Sequence, residues 1–402
     1  MNAPLPFTKN GLTRRGFGLA GLSLTLLARV ADAAVPANKK FVVIICRGGM
    51  DGLSVAPPIG DADYQGLRGA LALGDTALKL DGTFGLNPAL PSVHALALAG
   101  QARIAPAVAT PDRARSHFEA QDVLETGAGG VYATTSGWLN RTVQAMSAQG
   151  KVEAISVGPT APLILRGPAA AGSWSPGRSV DAEARLPSLL QDLYKNDPLL
   201  GPALARGLQT ETMAKASGAD AGAAMMGPGG GQAQNREVAR AMGASLADFL
   251  KAPGGPQLAA VSLDGFDTHA NQAGLLGVRL TSLDALVDGL HAGLGPVWKD
   301  TLVLAVTEFG RTARVNGTGG TDHGTASTAL LMGGALKPGG IVGDWPTLKR
   351  TALFEDRDVY PAIDLRGLSK GLLADHLGVD RRALDTAIFP DSAAVKPLLG
   401  VV

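Results

Sequence analysis

This sequence has very little cysteine, few aromatic residues and almost no surplus of either charge. Its 402 residues include one cysteine, and only 4% of them are aromatic. A single cysteine forms no disulfide within the chain, so the fold must depend on its apolar core. The 36 basic and 35 acidic residues nearly balance, without the basic excess that is typical of nucleic-acid-binding proteins. We therefore expect a globular protein with no nucleic-acid partner.

Two motifs that mark common classes of protein are absent as well. The glycine-rich segment RGGMDG at residues 47–52 does not have the G-x-G-x-x-G spacing of dinucleotide-binding folds. The sequence also lacks the G-x-S-x-G elbow between a strand and a helix that carries the nucleophile of many serine hydrolases, because its G-x-S-x-G spacing, GLSKG at residues 367–371, lies within a predicted helix. Both a Rossmann-type nucleotide-binding protein and a serine hydrolase of that type are therefore disfavoured.

The first 33 residues carry the features of an export signal. TRRGFGL at residues 13–19 is a twin-arginine signature, residues 19–28 are apolar, and ADA at residues 31–33 matches a cleavage site. The alternative is a chance arginine pair before an apolar helix. The apolar stretch is too short to cross a bilayer comfortably. The pattern predicts delivery by the twin-arginine export machinery to the periplasm or the medium, with no stable membrane span after cleavage.

Apolar runs alternate with helical patterns along the rest of the chain. Strand-like runs occupy residues 41–46, 102–109, 152–157, 162–165, 257–263, 301–306 and 327–332. Helical patterns occupy residues 91–99, 115–126, 138–147, 187–194, 237–250, 274–294 and 365–377. This alternation predicts an α/β fold with a largely parallel central sheet and helices on both faces. We expect residues 34–402 to form a single domain, with a flexible Gly/Ala-rich insertion near residues 214–235.

Polar side chains follow three of the predicted strands and precede a fourth. They are Asp51, Asp264, Asp267, His269, Glu308 and His323. Because ligand crevices in open α/β sheets lie beyond the carboxyl ends of the strands, we expect these side chains to lie close together. Clustered carboxylates repel one another unless a cation balances them. Carboxylates with one or two imidazoles suit Zn, Mn, Mg or Ca, so the sequence predicts a divalent metal site.

Several of these residues also have simpler explanations. Asp51 could cap the following helix, Asp264 could form a turn with the next glycine, and Glu308 could pair with Arg311. Arg47 and Arg311 lie close to two of the acids in the sequence. They could bind an anionic group, or they could merely neutralise the carboxylates.

Five segments occur in a recognisable order, namely RGGMDGLSVAPP, SHFEAQDVLETG, DGFDTHANQ, TEFGRT and GTDHG. Together they resemble an exported bacterial family, domain of unknown function 1501, over about residues 40–400. That family is grouped with the alkaline phosphatase and sulfatase-like superfamily. The resemblance implies an alkaline-phosphatase-like fold and a metal-dependent hydrolase of phosphate or sulfate esters.

The superfamily motifs imply roles for particular residues of this chain. Asp51 would be the metal-binding aspartate of the first strand, and His323 would be the final histidine. Asp264 or Asp267 with His269 resembles an Asp-x-x-x-His loop, although neither spacing matches. Glu308 takes the place of the acid in an Asp-His pair. Phe309 stands where the histidine of that pair would be, so one of two expected metal sites would lose a ligand.

Ser116 is the hydroxyl nearest to the position of the superfamily nucleophile. It precedes a predicted helix, whose first N–H groups favour an anion. With Glu119 three residues further on, Ser116 could equally be a helix cap. The sequence leaves two functions open. One is an exported metallohydrolase that attacks a small or polymeric ester, through Ser116 or through water activated by the ion. The other is a non-catalytic periplasmic binding or assembly protein that retains the fold.

Overall fold

A computed structural model describes residues 38–147, 152–158, 161–175, 185–198, 200–217 and 232–402. The predicted export signal at residues 1–33 lies outside these ranges. Residues 218–231, which belong to the predicted insertion, lie outside them as well. At the borders of that insertion the chain is helical, since one helix ends at Ser217 and the next begins at Gln232. Among the helices in the described ranges, none combines the length and the apolar character needed to cross a bilayer.

Ten strands are described, and eight of them form one central sheet. They are β1 (Lys40–Cys46), β2 (Leu78–Lys79), β3 (Gly85–Leu86), β4 (Ala102–Ala109), β5 (Ala154–Val157), β6 (Ala171–Trp174), β7 (Leu258–Leu263), β8 (Thr301–Val306), β9 (Ser327–Met332) and β10 (Ile363–Asp364). The central sheet has the order β10-β4-β9-β8-β1-β7-β5-β6, and β2 and β3 pair separately. Strand β9 is antiparallel to β4 and β8, whereas the other neighbouring pairs described in this sheet are parallel.

Helices cover both faces of this sheet. They are α1 (Gly52–Val55), α2 (Tyr64–Arg68), α3 (Pro91–Leu98), α4 (His117–Thr126), α5 (Trp138–Ser147), α6 (Arg185–Tyr194), α7 (Leu200–Ser217), α8 (Gln232–Lys251), α9 (Gln272–Leu294) and α10 (Leu365–Leu377). Strand β1 is buried along its whole length. Val42 and Ile44 belong to one apolar cluster, and Val43 and Ile45 belong to another. The predicted α/β fold with a largely parallel, doubly covered sheet is confirmed.

One predicted strand is wrong. Residues 162–165 contain a short 3-10 helix, Leu163–Leu165, whose residues Ile164 and Leu165 are buried in the core. The backbone N–H of Ile164 donates a hydrogen bond to Glu125 (2.9 Å) instead of pairing with a strand. Four apolar residues are too few for periodicity to separate a strand from another buried segment.

Strand directions decide which segments meet at one edge of the sheet. Strands β1, β7 and β8 are mutually parallel, and β4 points the same way because it is antiparallel to β9, which is antiparallel to β8. Their carboxyl ends therefore share an edge. Strand β9 runs in the opposite direction, so the residues that precede it arrive at this same edge. The loops after β1, β4, β7 and β8 are thus brought together with the loop before β9.

Candidate metal centre

Two glycines allow the loop after β1 to pack closely against its neighbours. Gly48 has a φ of +115°, and a Cβ atom there would lie 2.4 Å from the backbone nitrogen of Asp267. Gly49 has a φ of +68°, and a Cβ atom there would lie 2.4 Å from the ring of Phe309. Side chains are excluded by both the space and the left-handed backbone. The turn after this buried strand therefore needs glycine at these two positions, because neighbouring loops pack closely against it.

Three histidines direct their Nε2 atoms towards Asp267. The Nε2 atom of His117 lies 3.4 Å from Asp267 Oδ2, and that of His323 lies 3.4 Å from Asp267 Oδ1. The Nε2 atom of His269 lies 3.1 Å from Asp267 Oδ1. His117, Asp267 and His323 offer ligand atoms that all lie within 4.8 Å of one another, close enough to hold one metal ion.

Each of these histidines is held in place through its other ring nitrogen. The Nδ1 atom of His117 lies 2.9 Å from Glu308 Oε1. That of His323 lies 2.9 Å from the carbonyl oxygen of Arg115, and that of His269 lies 3.1 Å from Asp322 Oδ1. All three partners are acceptors, so each Nδ1 carries the donated proton, and each Nε2 of a neutral ring keeps its lone pair. Metal-binding histidines are oriented by outer partners in this way.

Glu308 is fully buried behind His117. Its Oε1 atom accepts hydrogen bonds from the backbone N–H of Gly48 (2.8 Å), from Gln121 (3.2 Å) and from His117. Burial acts to raise the pKa of Glu308, but these hydrogen bonds outweigh it, so the pKa lies below its ordinary value. The hydrogen bond to Glu308 in turn raises the pKa of His117. Glu308 therefore orients a histidine of the cluster, and its predicted role as a metal ligand stays a prediction.

Asp267 remains ionised although the cluster is partly buried. Its Oδ1 atom lies 2.5 Å from Nη2 of Arg311. Burial acts to raise the pKa of Asp267, but the hydrogen bond and positive charge of Arg311 lower it below its ordinary value. Burial likewise lowers the pKa of His323 and favours its neutral ring. An ionised carboxylate beside a neutral imidazole is the protonation state that binds a divalent cation.

Asp51 is not part of this cluster. It is the N-cap of α1, and its buried carboxylate forms an ion pair with the buried guanidinium of Arg68. It also accepts hydrogen bonds from Ser54 (2.7 Å) and from the side chain of Gln272. These partners occupy the oxygen atoms that a metal would need. In the structure Asp51 is thus a helix cap with a buried ion pair. Asp264 is exposed, and neither residue belongs to the cluster, so their metal role stays a prediction.

Neither predicted anion-binding arginine has its guanidinium free. Arg47 pairs with Glu125 (2.7 Å) and donates to Gln121 (2.9 Å). Arg311 is buried and donates to four backbone carbonyl oxygens as well as to Asp267. Both guanidinium groups thus neutralise acids and hold neighbouring loops together, and their role in binding an anion stays a prediction.

Phe309 and Ser116 border the cluster. The ring of Phe309 packs against the rings of His117 and His323, with centroids 4.9 and 4.8 Å apart. Ser116 is the N-cap residue of α4, directly before His117, and in the described part of the chain its side chain makes no capping hydrogen bond. The side-chain cap predicted as the alternative role of Ser116 is therefore not formed. It stays a candidate nucleophile.

His117 is the residue of this cluster that sequence reasoning missed. It lies at the start of α4, eight residues after β4 ends at Ala109. The other polar residues of the site lie closer in sequence to the ends of their strands. The pattern of a strand next to polar side chains therefore did not point to His117. A histidine directly after Ser116, at the start of the predicted helix that follows strand β4, would have been the available signal.

A family profile described as "Protein of unknown function (DUF1501)" matches residues 83–388. The chain belongs to the DUF1501 family. The matched range includes His117, Asp267, His269, Glu308 and His323, and the resemblance predicted from the sequence is confirmed. No curated protein matches the chain.

Solved structures similar to this DUF1501 chain include sulfatases and members of the alkaline phosphatase superfamily. The lipoteichoic acid synthase LtaP from Listeria monocytogenes is 9% identical, with 90% of this chain and 77% of that one covered and a TM-score of 0.44. The periplasmic domain of EptC from Escherichia coli, in complex with Zn, is 11% identical, with coverages of 93% and 90% and a TM-score of 0.40. A putative sulfatase from Bacteroides thetaiotaomicron is 10% identical, with coverages of 85% and 71% and a TM-score of 0.40.

Proposed function

We propose that this DUF1501 protein is an exported, metal-dependent hydrolase of phosphate or sulfate esters. The observation that carries the proposal is the convergence of His117, Asp267 and His323, whose ligand atoms all lie within 4.8 Å of one another. These residues come from the start of α4 and from two separate loops, at the edge where the carboxyl ends of β1, β4, β7 and β8 meet. That edge is the usual position of a ligand site in an open α/β sheet.

The donor set fits a divalent cation. The Nε2 atom of His117 is buried and has no hydrogen-bond partner among the residues that the structure describes. A buried lone pair without a partner is costly unless a proton or a metal occupies it. Two imidazoles and one carboxylate are the ligands found at catalytic zinc sites, which keep a further position open. We therefore favour Zn over Mg or Ca, whose sites are dominated by oxygen ligands.

The chain's own residues would orient the reacting groups. Glu308 holds His117 in the tautomer that leaves Nε2 free, and Arg311 keeps Asp267 ionised. Ser116 lies at the N-terminus of α4, a helix of 10 residues, whose first N–H groups favour an anionic substrate. When bound, a divalent cation polarises an ester oxygen and makes water more acidic. The attacking group is then either the hydroxyl of Ser116 or a water molecule.

A second candidate function is a non-catalytic binding or assembly protein of the same fold. Two observations favour it. The ring of Phe309, which stands where the superfamily resemblance implies a histidine ligand, packs against His117 and His323. The guanidinium groups of Arg47 and Arg311 are engaged by acids and carbonyl oxygens.

Export through the twin-arginine route is expected from the signal at residues 13–33. A metal site assembled from distant loops forms only in the folded chain, and this route carries folded proteins. The double substitution Arg14→Lys and Arg15→Lys should leave the protein in the cytoplasm, as measured by cell fractionation. The matched control is Lys39→Arg, which lies beyond the predicted cleavage site. Undiminished periplasmic delivery of the double variant would contradict the export proposal.

Metal binding and ester hydrolysis are expected to appear together. Protein purified without chelator should contain about one divalent ion per chain by elemental analysis. The stripped protein should bind Zn or Mn in a calorimetric titration and should cleave nitrophenyl phosphate or nitrophenyl sulfate only when reloaded. Asp267→Asn removes the carboxylate charge that binds the cation, so it should lower metal affinity by at least tenfold and activity in parallel. Asp264→Asn is the matched control, because Asp264 is exposed in the same loop.

The outcomes of this experiment separate the candidate functions. Ser116→Ala should abolish hydrolysis if the hydroxyl attacks the ester and should spare it if water does. An ion bound without any ester cleavage would favour the binding protein. If no divalent ion binds more tightly than millimolar and no ester is cleaved, the hydrolase proposal is overturned.

A further inference from the structure

A cleft of about 530 Å³ lies at the edge of the sheet opposite the candidate metal centre. Strands β1, β5, β7 and β8 are parallel, so their amino ends share this edge. Four polar residues that begin or directly precede these strands line the cleft, namely Lys40, Glu153, Gln257 and Asp300. A cleft of this size accommodates a small organic molecule.

Lys40 carries a buried ammonium group that forms no ion pair with an acid among the residues that the structure describes. It is 6% exposed, and its Nζ atom donates a hydrogen bond to the backbone carbonyl of Pro256 (3.1 Å). An ammonium group has three donors, and a buried charge is costly unless it is paired. Burial accordingly lowers the pKa of Lys40. An anionic group bound in the cleft would supply the counter-charge.

Gln257 offers an acceptor that lacks a donor. It is 7% exposed, and in the described part of the chain its Oε1 atom has no hydrogen-bond partner. A buried polar atom left unsatisfied costs free energy, because it has lost its hydrogen bonds to water. A ligand that donates a hydrogen bond to Oε1 would remove this cost.

The strand register places Lys40 and Gln257 side by side. Phe41 pairs with Leu258, so the two residues directly before them are neighbours whose side chains point to the same face of the sheet. The backbone is fixed there, since the N–H of Phe41 donates to the carbonyl of Gln257 (2.9 Å). One small ligand can therefore contact both side chains.

Other parts of the cleft offer carbon surface and backbone. Its lining includes Leu250, Ala252, Pro296 and Val297, together with two glycines at residues 254 and 255. Lys251 also lines it, but pairs with Asp248 (3.1 Å). The cleft thus combines one buried cation, one buried acceptor and an apolar wall.

We propose that this cleft binds a small carboxylic acid that has an amino or hydroxyl group beside its carboxylate and an apolar side chain. The carboxylate accepts a hydrogen bond from Nζ of Lys40, and the neighbouring amino or hydroxyl group donates one to Oε1 of Gln257. The side chain lies against Leu250 and Val297. This site is at the opposite edge from the cluster of His117, Asp267 and His323, so the proposal is independent of the hydrolase function.

Calorimetric titration of the metal-free mature protein with related ligands tests the site. L-leucine and its α-hydroxy analogue should bind more tightly than millimolar. Isocaproate, which lacks the donor, should bind roughly tenfold more weakly, because Oε1 of Gln257 then stays unsatisfied. Isoamylamine, which lacks the carboxylate, should not bind. Removing the metal prevents a carboxylate from binding an ion at the other edge.

Two variants assign the contacts to particular side chains. Lys40→Met keeps the aliphatic part of the side chain but removes the charge, so it should weaken leucine binding by roughly tenfold or more. Lys349→Met, at an exposed lysine outside the cleft, is the matched control and should bind leucine like the wild type. Gln257→Met should bind leucine and isocaproate equally, because the acceptor that distinguishes them is gone.

Several results would overturn the proposal. They are the failure of both leucine and its hydroxy analogue to bind more tightly than millimolar, equal binding of leucine and isocaproate by the wild type, and unchanged leucine affinity in Lys40→Met. Inorganic phosphate that competes as well as the hydroxy acid would also overturn it, since the site would then recognise charge alone. Asp267→Asn should keep its leucine affinity, and a loss there would place the ligand at the metal centre instead.

Discussion

Replacing Asp51 by alanine is expected to destabilise the protein by about 3–5 kcal/mol, the usual cost of breaking a buried ion pair by removing one partner. The guanidinium of Arg68 would be left buried without its carboxylate, since both side chains are almost completely shielded from solvent. Ser54 and Gln272 would also lose an acceptor. Urea denaturation of the metal-free protein measures this change in the free energy of unfolding.

The same variant tests whether Asp51 has any role in binding a metal. Asp51 lies outside the cluster formed by His117, Asp267 and His323, so the folded fraction of Asp51→Ala should bind the ion with unchanged affinity. Asp51→Ala combined with Arg68→Met should recover much of the lost stability, because it removes the uncompensated charge. Loss of metal from the folded single variant would return Asp51 to the role that the superfamily motif implies.

Acidification from pH 7 to pH 4 is expected to remove about 3 kcal/mol of stability through His376 alone. This residue of helix α10 is 1% exposed, and its Nε2 atom lies 2.9 Å from the carbonyl of Lys40. Burial lowers its pKa from 6.5 to about 4. Between these values the unfolded chain binds a proton that the folded chain does not. The free energy of unfolding therefore falls as the pH falls through this window, and the contribution is fully present above pH 6.5.

His376→Gln tests this pH dependence. Glutamine can still donate to the carbonyl of Lys40 but does not titrate, so the loss of stability between pH 7 and pH 4 should be about 3 kcal/mol smaller than in the wild type. His94→Gln, on the partly exposed helix α3, is the matched control and should lose as much stability between pH 7 and pH 4 as the wild type. An equal loss of stability between pH 7 and pH 4 in His376→Gln and in the wild type would contradict the prediction. Chemical denaturation at several pH values provides the measurement.

Much of the architecture could be predicted because its elements have strong patterns. The strands Ala102–Ala109, Thr301–Val306 and Ser327–Met332 have the predicted bounds, and so do the helices Trp138–Ser147 and Leu365–Leu377. Each is a long apolar run or an amphipathic repeat. Strand β6 (AGSW) and the small-residue helix α7 have weak patterns, which explains why they were missed.

The site was harder to predict, because local sequence patterns do not reveal the order of the strands in the sheet or the partners of individual side chains. The strand-then-acid pattern located Asp267 and His269, and the glycine-rich loop located His323. The partner of Asp51 could not be foreseen, since Arg68 lies on a short helix whose packing depends on the whole fold. The same holds for the contact between the Glu308 carboxylate and Nδ1 of His117.

The position of β1 in the sheet has a consequence for biosynthesis. This apolar strand is completed early, but both of its neighbours, β7 and β8, begin more than 200 residues later. At translation rates of about 5–20 residues per second, the ribosome needs roughly 10–40 s to supply the first of them. During that interval the nascent chain carries β1, which is apolar from Phe41 to Cys46, without its partner strands. Pairing of β1 therefore comes late in synthesis, and the nascent protein depends on protection from aggregation before it can mature.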